Sequence, residues 1–151
     1  MDTAANELNL GALIPNIGTV VGLIEFALWL LVLAGPLMLL TFGLLYRYRP
    51  PAEANYSLGY RFWWGMASLE AWRYTQRLAG IIWTLLGGAL TVIMLIVCII
   101  LQVKGTMTLA IGAAICVGIE LLLTAAACIT INVLVMKKYD KDGYLREETV
   151  E

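Results

Sequence analysis

Three long apolar blocks constrain this chain more than any other feature. They run roughly over residues 19–46, 79–103 and 107–136, and a helix that crosses a bilayer needs about 20 mostly apolar residues. The composition agrees: 61% of the 151 residues are hydrophobic and 14% are charged, too oily for an ordinary soluble domain. The expected fold is an all-α integral membrane protein. It has three transmembrane helices, with an interfacial aromatic- and arginine-rich segment between the first and the second. Residues 1–151 form one membrane domain, with a connector over 47–78 and a polar tail over 137–151.

The amino terminus does not read as a signal peptide. Residues 1–9 carry Asp2 and Glu7 and no Lys or Arg, whereas a secretory signal opens on a basic region. The first apolar block is therefore expected to persist as a helix. Residues 10–17, interrupted by Pro15, suit an interfacial turn leading into it.

Charge distribution sets an orientation. Nine of the ten basic residues lie in the first connector (Arg47, Arg49, Arg61, Arg73, Arg77) or after the third span (Lys137, Lys138, Lys141, Arg146). Lys104 stands alone in the short second connector. Three spans place the first connector and the tail on one side. The excess of basic residues puts that side in the cytoplasm and the amino terminus outside the cytoplasmic membrane.

Within the first helix, Pro36 after Gly35 marks a kink site. Pro50-Pro51 ends the helix, since neither residue can donate a backbone hydrogen bond. Tyr46 and Tyr48 then reach the membrane boundary, with Arg47 and Arg49 extending to headgroups. Ser68 followed by Glu70 resembles an N-cap with an acidic first turn, so the second helix starts before its apolar core. The third helix runs from about Thr106 to Met136, with Lys137 and Lys138 suiting the negative end of its dipole. The tail beyond reads as solvated and mobile.

Two carboxylates fall at membrane depth, Glu25 in the first helix and Glu120 near the middle of the third. A charge at a helix centre costs about 2.5–3.5 kcal/mol on insertion scales. Such a group must be protonated, paired or facing a wet cavity. No Lys or Arg lies at matching depth, which favours a protonated or partly hydrated Glu120. Thr124, Cys128 and Asn132 follow Glu120 at four-residue steps, a row that can face one crossing neighbour. It reads either as an interhelical hydrogen-bonding row or as a proton- or ligand-responsive site. Small residues recur as well: Gly18 and Gly22, then Gly80, Gly87 and Gly88, then Ala110, Ala114 and Gly118. They allow close packing within the bundle or between copies in a homo-oligomer.

The connector NYSLGYRFWWGMASLEAWRYTQR (55–77) holds more Trp and Arg than a plain linker needs. Asn55 can form an Asx-turn after the diproline, and Gly59 can take a positive φ. Arg61, Arg73 and Arg77 can hold lipid phosphates or pair with Glu53 and Glu70, while Trp64 and Trp72 can wedge the segment into the leaflet. The segment is thus either an anchored re-entry into the second helix or a docking site for a partner or ligand.

The same stretch resembles the signature of the SdpI family, bacterial membrane proteins named after an immunity protein against a secreted toxic peptide. Asn55, Gly59, Arg61, Trp64, Ser68, Glu70, Trp72, Thr75 and Arg77 fall in the family's order and spacing, and Ala79-Gly80 continue the match. Phe62-Trp63 replace the usual Thr-Pro, and Gln76 stands where His is usual. Longer members also carry a further N-terminal membrane region that this sequence lacks. The resemblance implies a non-enzymatic immunity or signalling protein. Its partners would be the lipid bilayer and an antimicrobial peptide or a cytoplasmic protein. It does not name the toxin.

The residue inventory narrows the remaining classes. With no His in the chain, His-based metal sites and His-assisted nucleophilic catalysis are excluded. Cys98, Cys116 and Cys128 have no C-x-x-C spacing and read as packing residues. No P-loop or dinucleotide fingerprint is present. The sequence therefore implies no cofactor, no metal and no catalytic residue, and its charge pattern does not point to nucleic acid. The alternative to immunity or signalling is a small oligomeric transporter or proton-linked channel that uses Glu120, with Thr124 and Asn132 nearby.

Overall fold

The computed structural model describes residues 16–54 and 58–146. Three long helices, α1 (Ile17–Tyr48), α2 (Leu69–Val103) and α3 (Thr106–Lys138), make up most of the described chain, with one turn of 3-10 helix at Trp64–Met66. Each long helix is long and apolar enough to cross a membrane. In hydrocarbon only such a segment satisfies its own backbone groups. Their lengths of 32, 35 and 33 residues correspond to roughly 48–53 Å at about 1.5 Å per residue. That exceeds a hydrocarbon core of about 30 Å, so the ends project beyond it.

Local chemistry fixes the helix ends. The side-chain oxygen of Asn16 accepts from the Gly18 amide and opens α1. α1 continues through Pro36, although proline cannot supply the N–H for the carbonyl four residues back. Ser68 Oγ accepts from the Ala71 amide at 3.1 Å, and Glu70 sits in the first turn of α2, as the sequence implies. Lys104 and Gly105 turn the chain from α2 into α3. Gly105 takes φ +104°, a region open to glycine and strained for other residues.

Glycines decide how closely α1 and α2 approach. A Cβ at Gly43 would collide with the Thr84 backbone nitrogen, and one at Gly87 would collide with that of Leu40. A Cβ at Gly80 would lie 2.7 Å from the Arg47 nitrogen. Gly80 and Gly87 therefore lie at a helix contact. The Ala110–Ala114–Gly118 row does not: Ala114 is exposed and a Cβ on Gly118 would meet open space, as it would on Gly22. α3 instead buries Leu109, Ala113, Cys116, Glu120, Ile131 and Val135.

Two apolar clusters result. One joins Val32, Leu90, Met94, Cys98, Ala113 and Cys116; the other joins Tyr46, Ala71, Ala79, Ile131, Val135 and Tyr139. The opposite faces of the helices expose Phe26, Leu30, Leu85, Leu122 and Ile129, the surface that contacts lipid.

The tail corrects the expectation of a mobile end over its first residues. Tyr139 is buried and forms an isolated antiparallel bridge with Leu145. Asp140 Oδ1 accepts from the Asp142 and Tyr144 amides, and Gly143 takes φ +84°. The resulting turn docks on the start of α2, where Ser68 Oγ donates to the Gly143 carbonyl at 2.9 Å.

Candidate functional site

The connector is not a loose strap. Its path is fixed by side chains from the first three turns of α2. Gln76 is fully buried. Its amide closes a two-bond ring with one residue: the Tyr60 N–H donates to Gln76 Oε1 at 2.8 Å and Gln76 Nε2 donates to the Tyr60 carbonyl at 2.8 Å. One turn earlier, Trp72 Nε1 donates to the Pro51 carbonyl at 2.9 Å. Trp72 is 0% exposed, so it does not wedge into the leaflet as the sequence suggested. It is the post around which the connector winds. Gly59 passes over its ring at φ +121°, and a Cβ there would lie 2.5 Å from Trp72 Cη2. Thr75 Oγ1 donates to the Ala71 carbonyl, and its side chain leaves no room for a Cβ on Gly65.

Tyr60 carries the connector across to α3. Its hydroxyl donates to Asn132 Oδ1 at 2.7 Å, with the Cys128 carbonyl oxygen 3.2 Å away. Burial, and then the Cys128 thiol beside it, push the Tyr60 hydroxyl well above the usual tyrosine range, so it remains a donor. The Tyr60 ring meets the Trp83 ring edge-on at 5.4 Å. The row Glu120–Thr124–Cys128–Asn132 therefore does not face one neighbour. Asn132 and Cys128 meet the connector, while Glu120 meets α1.

The charged residues of the signature lie on the outside of this frame. Arg61, Glu70, Arg73 and Arg77 are exposed. The expected pairs with Glu53 and Glu70 do not form: among the described residues, these arginines make no ion pair. Trp64 stacks on Phe62 at 5.7 Å and is partly buried. Its neighbour Trp63 is 76% exposed. Trp63 lines a groove of about 600 Å³ with Met66, Ala67, Lys141, Asp142 and Tyr144, so the docked tail and the connector share one surface. Asn55 lies outside the described residues.

Two carboxylates sit away from the connector. Glu25 is satisfied: Thr106 Oγ1 donates to it at 2.6 Å and Gln102 Nε2 at 3.3 Å. It lines a groove of about 410 Å³ with Gly22, Phe26, Trp29, Leu30, Leu33 and Gln102, at the end of the bundle opposite the connector. Glu120 is 5% exposed, and its Oε1 is buried without a hydrogen-bond partner. It fills the space over Gly35, where a Cβ would lie 2.9 Å from Glu120 Oε2. Thr124, one turn on, is half-buried. Among the described residues no group of three His, Cys, Asp or Glu is arranged to hold a metal ion.

Several residues of this site are silent at the level of sequence. Tyr60 carries no signal that it spans from Gln76 to Asn132. Gln76 reads only as a replaced His. The docked tail reads as mobile in sequence, although Asp142-Gly143, a turn dipeptide between Tyr139 and Tyr144, signals its turn.

Residues 52–135 match the model of the SdpI/YfhL protein family, a stretch that runs from the connector through most of α3. No curated protein and no solved structure shows a significant match.

Proposed function

The chain belongs to the SdpI/YfhL protein family, and we propose that it is a non-enzymatic bacterial membrane protein that confers immunity to an antimicrobial peptide or signals through its connector. One observation carries this reading. The signature residues divide into an inward frame, with Trp72 and Thr75 buried and Gly59 and Ser68 half-buried against it, and exposed charges (Arg61, Arg73, Arg77). A frame that holds exposed cations, without an ion pair among the described residues, and an exposed Trp63 outward supports docking, because the ordering cost is met before a partner arrives. In this reading the connector and tail face the cytoplasm and the amino terminus faces outward, as the nine basic residues at the connector end favour.

The test is a tolerance assay. Wild type, Arg61→Ala and Glu120→Gln are expressed at matched membrane levels in a sensitive bacterium and challenged with a panel of secreted antimicrobial peptides. Wild type is expected to protect, and Arg61→Ala to lose protection. No protection by any form across the panel counts against immunity.

A second reading rests on the unpartnered oxygen of Glu120 in the packed centre. A carboxyl held there suits proton-linked transport, which three helices can provide only as an oligomer. Proteoliposome flux of wild type against Glu120→Gln tests it, and equal flux removes Glu120 from any transport mechanism.

A further inference from the structure

The ends of α1 and α2 form a second cationic feature, which includes Arg73 and Arg77 of the exposed signature charges but neither Arg61 nor Trp63. A groove of about 540 Å³ is lined by Arg47 from the last turn of α1, by Arg73 and Arg77 from α2, and by Glu70, Pro51 and Tyr139 among others. Arg73 and Arg77 are four residues apart and so share one helix face. Arg47 approaches from the other helix. Among the described residues none of the three is paired with a carboxylate, Glu70 included. The contact found for Arg47 is a loose one, 5.9 Å from the Tyr48 ring centre. A fourth cation stands beside the groove: Lys138 Nζ lies 4.1 Å from the ring centre of Tyr74, a groove-lining residue. With a single carboxylate against three guanidiniums, the groove is net positive.

Its depth in the bilayer identifies what it meets. Arg77 is the last charged residue before the apolar run that begins at Leu78, and Arg47 directly precedes the end of α1 at Tyr48. The guanidiniums therefore sit where hydrocarbon gives way to headgroups. Tyr46 and Tyr139, both buried, form an aromatic wall at that level. Three forked donors lining one groove at headgroup depth suit the oxygens of a phosphate, which guanidinium groups bind in bidentate fashion.

We propose that Arg47, Arg73 and Arg77 form a seat for one phosphate group, supplied by an anionic phospholipid of the leaflet at the connector end. The seat goes beyond the immunity reading and does not depend on it. A bound lipid would tie the end of α1 to the start of α2, the two elements between which the connector is strung.

The test uses the full chain in detergent, titrated with phosphatidylglycerol, phosphatidylcholine or inorganic phosphate and read by native mass spectrometry. Wild type is expected to bind phosphatidylglycerol about tenfold more tightly than phosphatidylcholine, a difference of about 1.4 kcal/mol. Arg73→Gln/Arg77→Gln should erase the preference, and Arg47→Gln, from the other helix, should reduce it independently. Lys104→Ala, at the far end of the bundle, should leave it intact. Because these arginines are exposed, circular dichroism should show all variants folded. Competition by millimolar inorganic phosphate would keep the seat and assign it to a soluble phosphate rather than a lipid. The proposal is overturned if wild type neither prefers phosphatidylglycerol nor binds phosphate. It is equally overturned if the preference survives in the folded double variant.

Discussion

Gln76→Leu tests whether the connector is held by the ring that Gln76 closes with Tyr60. The substitution puts an apolar side chain of similar volume in a fully buried position. It removes both 2.8 Å hydrogen bonds to the Tyr60 backbone. A buried backbone group left without a partner costs about 1–3 kcal/mol. Two such groups give about 2–6 kcal/mol, and the lower value applies because Tyr60 is only half-buried and water can reach part of it. A loss of about 2 kcal/mol raises the local opening equilibrium roughly 30-fold. Hydrogen exchange of the full chain in detergent reads this directly, in peptides covering residues 58–66. Gln76→His grades the effect. An imidazole has one donor and one acceptor on diverging ring nitrogens, so it can satisfy only one of the two Tyr60 groups. It should give an increase of about fivefold. Thr130→Ala serves as control, since that exposed hydroxyl bonds only the carbonyl of Ala126 in its own helix. Exchange in Gln76→Leu that stays within about threefold of wild type would refute the idea that this ring holds the connector.

Three further outcomes follow from the packing. Gly43→Ala combined with Gly87→Ala drives a methyl from each of α1 and α2 into the backbone of the other and should destabilise the bundle by about 2 kcal/mol or more, read as a lower melting temperature in detergent. Ser68→Ala removes both the α2 cap and the tie to Gly143. The cap alone is worth about 0.5–2 kcal/mol, and limited proteolysis should cut the tail after Tyr139 faster than in wild type. Glu120→Met removes a buried oxygen that has no partner and should stabilise the protein by about 1–3 kcal/mol. A lower melting temperature would mean that the carboxyl is satisfied in the native membrane.

The three helices were legible because hydropathy at membrane length leaves the backbone little choice. The start of α2 was legible because Ser68 and Glu70 are local signals that act within one turn of themselves. Long-range partners were not. Trp72 reads as an interfacial anchor because tryptophan favours that zone, yet Pro51 supplies a carbonyl 21 residues earlier and draws the indole inward. Thr124 and Asn132 share a row with Glu120 in sequence, but Tyr60 captures Asn132 from outside the helix. The expected arginine–glutamate pairs were plausible by proximity alone. Exposed pairs gain little over hydration, and among the described residues Arg61, Arg73 and Arg77 make no ion pair.

The division of the signature bears on what family membership can say. Gly59, Ser68, Trp72 and Thr75 each make a contact that would be lost on substitution whatever the partner outside. Their recurrence in a relative would therefore report the connector fold and nothing about specificity. Under the docking proposal, specificity would reside in the exposed side chains, Arg61, Trp63 and the groove that Trp63 shares with Lys141 and Tyr144. The two classes separate experimentally. Arg61→Ala should change melting by less than about 0.5 kcal/mol, as surface substitutions do, while abolishing peptide tolerance. Gly59→Ala strains a backbone at φ +121° and drives a methyl into the Trp72 ring. It should cost about 1–3 kcal/mol and reduce tolerance only as far as it lowers the amount of folded protein. If Arg61→Ala lowered melting as much as Gly59→Ala does, Arg61 would belong to the frame, and the docking surface would have to be sought on the lipid-facing helices.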